Sequence, residues 1–160
     1  MNEACQTVLD AYLATLSQAD DGRERSFSAG YFCADEVNAN LCADLIVKGE
    51  KRASCSMEYW YTHQNESYPK VGNLHVVTNW LEEPLCIIEL TEVTRCQYKD
   101  ITAEFAAAEG EGDKSLSWWR DAHWDFFSNE CEELGIAPTE EMWLVLERFQ
   151  VVHQVVKTNQ

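Results

Sequence analysis

The stretch GEKRASCS, residues 49–56, decides the fold because it joins a helix to a strand. Upstream, apolar residues recur at helical spacing between Asp35, which can cap the first turn, and Gly49, which can end the last one. Downstream, the composition becomes strand-like over 52–61. The sequence therefore predicts a basic turn at the point where a sheet strand begins.

This basic turn brings Lys51 close to Ser54 in the chain. Alternation along a strand would put the two side chains on opposite faces, whereas a bulge or a helix end at Lys51 would bring the amine beside the hydroxyl. A lysine beside a serine can create a nucleophile or polarise a water, and Arg52 adds a second positive charge. A solvated basic turn is the alternative that these residues leave open.

Turn signals separate further elements along the chain. Strands are predicted over 27–32, 52–61, 74–80, 85–93 and 144–156, and helices over 5–17, 35–48, 100–108 and 115–134. The polar turn that follows the first helix is too short to separate two domains. We therefore predict one domain over 1–160, α+β in class, with residues 1–25 as an N-terminal helix and turn that brace a small sheet or barrel.

The charge of the chain limits the partners that it can bind. Twenty-eight acidic and twelve basic residues give a formal charge of −16, so the average surface repels phosphate and favours a small neutral ligand over a long RNA. The first thirty residues have neither a basic start nor a continuous apolar run, so we expect a cytoplasmic protein that does not bind a membrane. Seven cysteines without a C-x-x-C pair predict reduced thiols.

Residues 109–113, EGEGD, place three carboxylates at alternate positions with glycines between them. Glycine lets another backbone or a ligand approach closely. Three acidic groups so placed could bind a cation, but the run is shorter than an EF-hand loop, and we predict neither a metal nor a cofactor. Glu111 is a candidate general base or partner for Lys51, with Asp113 or Ser115 as the cap of the next helix. An acidic turn stabilised only by the helix dipole is the alternative.

The predicted helix over 115–134 is rich in aromatic residues that lie beside basic ones. Trp119 and His123 share one helical stripe, and Arg120 is close beside it. Such a density of rings usually forms a core. Rings next to arginine and histidine can also stack on a base and contact its edge, so both interpretations stay open.

Several motifs, taken in order, resemble the bacterial ASCH family over about residues 27–156. They are GxKxAS at 49–54, PKVG at 69–72, ELTEV at 89–93, EGEGD at 109–113, SLxxWRxxHxxFF at 115–127 and ERFxVV at 147–152. The family is similar in fold to PUA domains. The resemblance therefore implies a small PUA-like β-barrel flanked by helices, with a cleft for RNA or a nucleoside.

The resemblance also implies candidate activities. In one branch of the family, amide hydrolysis removes an acyl group from a modified cytidine, and its lysine, hydroxyl residue and glutamate correspond to Lys51, Ser54 and Glu111. Ribonuclease cleavage and RNA binding without catalysis are the alternatives. In each case we expect the substrate to contact the residues that surround the cleft, namely Arg52, Trp119, Arg120 and His123.

Overall fold

A computed structural model describes residues 1–17 and 25–157, which fall into two units. Of the described residues, the first unit comprises 1–17, 25–49, 70–91 and 149–157, and the second comprises 50–69 and 92–148. Part of the predicted N-terminal turn, residues 18–24, lies outside the described residues. The assignment of the whole chain to one domain stays a prediction.

Five α-helices, five strands and one short 3-10 helix (Tyr98–Asp100) form the described elements. The helices are α1 (Glu3–Leu13), α2 (Glu36–Val47), α3 (Tyr59–His63), α4 (Ala103–Glu109) and α5 (Leu116–Leu134). The strands are β1 (Phe27–Gly30), β2 (Ala53–Met57), β3 (Leu74–Thr78), β4 (Pro84–Gln97) and β5 (Trp143–Gln154). This mixture confirms the predicted α+β class.

The first unit is built on strands in the order β1-β3-β4-β5, where β1 is parallel to β3 and β3 is antiparallel to β4. Helix α1 begins at the cap Asn2 and packs its apolar face on β3 and β4. Asp35 caps α2 as predicted, because its side chain accepts a hydrogen bond from the Asn38 amide. Burial of these two helix faces gives the unit its apolar core.

The second unit carries the strand order β4-β5-β2, in which β2 lies at the edge and is antiparallel to β5. Its core consists of large buried rings from α4 and α5, with Phe105, Trp119 and Phe127 each at most 2% exposed. Ser115, one of the two predicted caps, begins α5 by accepting a hydrogen bond from the Trp118 amide. Helices α4 and α5 therefore bring the acidic run at 109–113 against β2.

One predicted element is wrong. Residues 59–61 were expected to extend the strand that begins near Arg52, but β2 ends at Met57 and Tyr59–His63 forms α3. The antiparallel pairing with β5 ends here, and a turn begins in which the Tyr61 amide donates to the Glu58 carbonyl. Aromatic residues favour strands by composition, but here they pack on the core from a helix.

None of the helices described is both long enough and apolar enough to cross a membrane. A cytoplasmic location stays a prediction.

Candidate active site

Lys51 is a buried lysine immediately before β2, with only 3% of its surface exposed. Its Nζ donates to the Ala53 carbonyl at 3.0 Å and to Glu111 Oε2 at 3.1 Å. The neighbouring Arg52 amide donates to the Ala108 carbonyl, which ties the turn to the end of α4. A buried ammonium needs such partners, so the solvated basic turn is excluded for Lys51. The predicted meeting of Lys51 and Glu111 is present.

Glu109 is a second carboxylate at this site, and it is almost fully buried at 1% exposure. Its Oε2 accepts hydrogen bonds from Trp119 Nε1 at 2.6 Å and from His123 Nε2 at 2.8 Å. Burial alone would raise the pKa of Glu109, but the charge of Lys51 and the hydrogen bonds from His123 and Trp119 lower it below its usual value. Glu109 is therefore ionised inside the protein.

The His123 ring lies between two acceptors. Its Nδ1 is 2.8 Å from the Trp119 carbonyl oxygen, and its Nε2 faces the Glu109 carboxylate. Both ring nitrogens therefore lie within hydrogen-bond distance of an oxygen atom. The ring also stacks on Trp119 with centroids 4.1 Å apart. Lys51 thus pairs with Glu111, and the His123 ring contacts Glu109.

The glycines of the acidic run permit close approach, as predicted. Gly110 has φ +73°, and a Cβ at this position would lie 2.2 Å from the Glu50 carbonyl oxygen. Gly112 has φ +59°, and a Cβ there would lie 2.2 Å from the Trp118 ring. Gly110 therefore lets the run pass directly against the turn that carries Lys51, and Gly112 lets it pass against Trp118 of α5.

The three carboxylates of the run have different partners. Glu109 faces Trp119 and His123, and Glu111 pairs with Lys51. Asp113 accepts from the Ser115 amide at the start of α5. Glu111 thus forms an ion pair, and Asp113 binds the start of α5. Glu109 is the buried carboxylate that holds Trp119 and His123, and we call it the buried anchor.

We expect Gly110→Ala to lower the free energy of unfolding by about 2–4 kcal/mol. An alanine in the left-handed region costs about 1 kcal/mol, and a clash with backbone in a packed region adds about 1–3 kcal/mol. Gly135→Ala is the matched control, because Gly135 also caps a helix at φ +71° but has nothing within 4 Å of its Cβ position. Urea unfolding of both variants measures the difference, and equal losses would contradict the close approach.

Ser54 is not brought to Lys51. Ala53 and Met57 are buried in the core of the second unit, and Cys55 packs against it, so the intervening Ser54 and Ser56 point to the opposite face of β2. On that face the residue directly across from Ser54 is Glu147 on β5. The structure thus follows strict strand alternation here.

The predicted ligand-contacting residues divide into buried and exposed ones. The Trp119 ring is 1% exposed and part of the core, so it holds Glu109 and offers no free face to a base. Arg120 and Arg52 are exposed. Arg120 lines a surface cavity of about 560 Å³, whose other walls are Tyr98, Lys99, Asp121, Trp124, Asp125 and Glu140. Contact with a ligand stays a prediction for these residues.

Cys55, Glu109 and His123 carry side-chain atoms of the kinds that can act as zinc ligands, and these atoms lie near each other. The Cys55 thiol, a Glu109 oxygen and a His123 nitrogen are all within 4.8 Å of one another. Burial, followed by the charge of Glu109, raises the pKa of the Cys55 thiol well above its usual value. The thiol is therefore protonated. The Glu109 oxygen Oε2 already accepts hydrogen bonds from His123 and Trp119.

The α+β fold is of the PUA-like kind. The chain belongs to the ASCH domain family, whose model matches residues 28–153. This confirms the resemblance seen in the motifs and places the chain in an RNA-related family of PUA-like fold. A comparison with curated proteins gives no match.

Two solved structures support this assignment. An ASCH domain from Lactobacillus crispatus JV V101 is 58% identical, with a TM-score of 0.93, and the alignment covers 96% of this chain and 97% of that one. A protein from Enterococcus faecalis V583 is 25% identical, with a TM-score of 0.83, and the alignment covers 96% and 91% of the two chains.

Proposed function

We propose that this ASCH domain hydrolyses an amide bond in a small acylated nucleoside, with Lys51 and Glu111 as its catalytic residues. The observation that carries the proposal is the contact between Lys51 Nζ and Glu111 Oε2 at 3.1 Å. The Lys51 side chain is only 3% exposed, whereas 17% of the Glu111 side chain remains exposed. A buried ammonium is therefore paired with a carboxylate that water can still reach.

The charge of the chain supports a small substrate. At −16 the average surface repels a polyanion, and the Lys51 ammonium is already paired with Glu111. An uncharged acylated nucleoside meets no such repulsion. The same pairing argues against a ribonuclease, because a nuclease site must hold the negatively charged scissile phosphate.

In the proposed mechanism a water is the nucleophile, because Ser54 points to the other face of β2. Glu111 takes a proton from the water as its oxygen attacks the acyl carbon, and the Lys51 ammonium stabilises the negative charge that develops on the carbonyl oxygen. The tetrahedral intermediate then collapses, and the proton held by Glu111 passes to the departing amine. The products are a carboxylic acid and the nucleoside with its free amino group.

The test is incubation of the purified chain with N4-acetylcytidine and, separately, with a labelled single-stranded RNA. We expect cytidine and acetate to appear by mass spectrometry, at a rate that changes little with salt because the substrate carries no phosphate. The RNA should remain intact. Cleavage of the RNA without release of acetate would contradict the proposal and favour a nuclease.

A further inference from the structure

Two cysteine thiols of the first unit lie in direct contact. Cys33 is in the segment that joins β1 to α2, and Cys42 is inside α2, 9 residues further along the chain. Their Sγ atoms are 3.1 Å apart, and both residues are thiols in this structure. A disulfide bond is about 2.0 Å long, so the two sulfur atoms need to approach by only about 1 Å to form one.

The two thiols differ in their access to solvent. Cys33 is exposed, whereas Cys42 is only 1% exposed. A reagent in solution can therefore reach Cys33 directly, while Cys42 is shielded from the same reagent but stays in contact with the Cys33 sulfur. An accessible thiol beside a second, resolving thiol is the usual arrangement of a cysteine pair that is oxidised reversibly.

The fold of the first unit holds both cysteines in place. Cys42 lies on the buried face of α2 together with Ala39 and Ile46, so the core fixes its position. Cys33 has φ +72°, a left-handed conformation that residues other than glycine rarely adopt, and Asp35 caps the first turn of α2 just after it. The chain thus turns before α2 in a way that brings Cys33 against the side of the helix.

We propose that Cys33 and Cys42 are a modification site, at which they form a reversible disulfide by exchange with a small disulfide of the glutathione type. This site is separate from the hydrolysis proposed above and does not depend on it. The resting state remains the two thiols. Oxidation would link the start of α2 to its interior by a covalent bond.

The exchange has two steps. The Cys33 thiolate attacks one sulfur of the small disulfide, so a mixed disulfide forms at Cys33 as the S–S bond of the reagent breaks and one thiolate leaves. Cys42 then gives its proton to solvent and attacks the Cys33 sulfur, which forms the Cys33–Cys42 bond and expels the second thiolate. The two cysteines together lose two electrons and two protons, and the reagent is reduced to two thiols.

The test is equilibration of the full chain in mixtures of reduced and oxidised glutathione, followed by acid quenching, alkylation and mass spectrometry. Trypsin releases both cysteines in one peptide, residues 26–48. We expect this peptide to lose two hydrogen atoms and to take up no alkyl group. Further cleavage after Glu36 should give two pieces that separate only after reduction.

The fold should favour this disulfide over the same bond in the unfolded chain. Flexible chain segments provide an effective concentration in the millimolar range, whereas the folded unit holds the thiols in contact. We therefore expect the equilibrium constant with glutathione to be at least about 10-fold larger for the folded chain than in urea. By linkage, the oxidised chain should melt about 3–6 °C above the reduced one.

Single variants separate the roles of the two thiols. With Cys42→Ser, the reaction should stop at the mixed disulfide between Cys33 and glutathione, and Cys42→Ala repeats the test without a buried hydroxyl. With Cys33→Ser, Cys42 should stay unmodified because it is buried. The control is Cys96→Ser, because Cys96 donates to the Gln97 carbonyl and its loss should leave the disulfide intact.

Three outcomes would overturn the proposal. The first is that peptide 26–48 of the parent contains no disulfide, and the second is an equilibrium constant no larger in the folded chain than in urea. The third is a Cys33→Ser variant in which Cys42 reacts as fast as Cys33 does in Cys42→Ser. Circular dichroism checks that each variant is folded.

Discussion

Lys51→Met should reduce the rate of amide hydrolysis about 100-fold to 10,000-fold. Methionine keeps the length and apolar stem of the side chain but removes the ammonium that donates to Glu111 at 3.1 Å. Without it the developing negative charge on the acyl oxygen has no partner. Glu111→Gln should cause a loss of the same order, because an amide cannot take the proton from water. Acetate release from N4-acetylcytidine under single-turnover conditions measures both.

The matched control for this pair is Lys114→Met. Lys114 also contacts a glutamate, Glu50, at 3.8 Å, but both side chains are nearly half exposed. Exposed pairs of this kind contribute little, so we expect the parent rate. Circular dichroism and a thermal melt check that each variant is folded. Folded Lys51→Met and Glu111→Gln variants that retain the parent rate would end the proposed mechanism.

Glu109→Ala should lower the free energy of unfolding by about 3–5 kcal/mol, the range found when one member of a buried ion pair is removed. The change would leave Trp119 Nε1 without its acceptor and His123 without its carboxylate. It would also remove a negative charge from the surroundings of Lys51. Guanidinium unfolding, followed by tryptophan fluorescence, measures this loss.

Glu104→Ala on the same helix is the control. Glu104 accepts two hydrogen bonds from Arg148, but its side chain is 71% exposed, so we expect a much smaller loss than for Glu109→Ala. Glu109→Gln should fall between the two, because the amide oxygen can still accept from Trp119 while the charge is gone. An equal effect of Glu104→Ala and Glu109→Ala would show that Glu109 is not a buried anchor.

The proposed catalytic pair could be predicted only in part. Lys51 and Glu111 are implied by the resemblance to the ASCH family, and the structure brings them into contact. Glu109 as the anchor could not be predicted, because its partners Trp119 and His123 lie on the next helix and nothing in the local sequence sets their distance. For the same reason Trp119 could be read either as a core residue or as a surface for a base.

The sequence by itself determined the features that depend on neighbours in the chain. The α+β class, the cap Asp35 and a cap at Asp113 or Ser115 rest on contacts or periodicity within a few residues. The sequence left open whether Ser54 meets Lys51, and the structure follows the alternation that separates them. The error over 59–61 also has a local origin, because aromatic residues fit a strand by composition.

Only the tertiary structure decided which distant groups meet. Glu147 reaches the face of Ser54 through the register of β2 with β5, and Glu109 is stabilised as an ion by groups from two other segments. The physical reason is that burial and electrostatic interactions depend on distances in space. Chain folding sets those distances, and a pattern of residue types does not encode them locally.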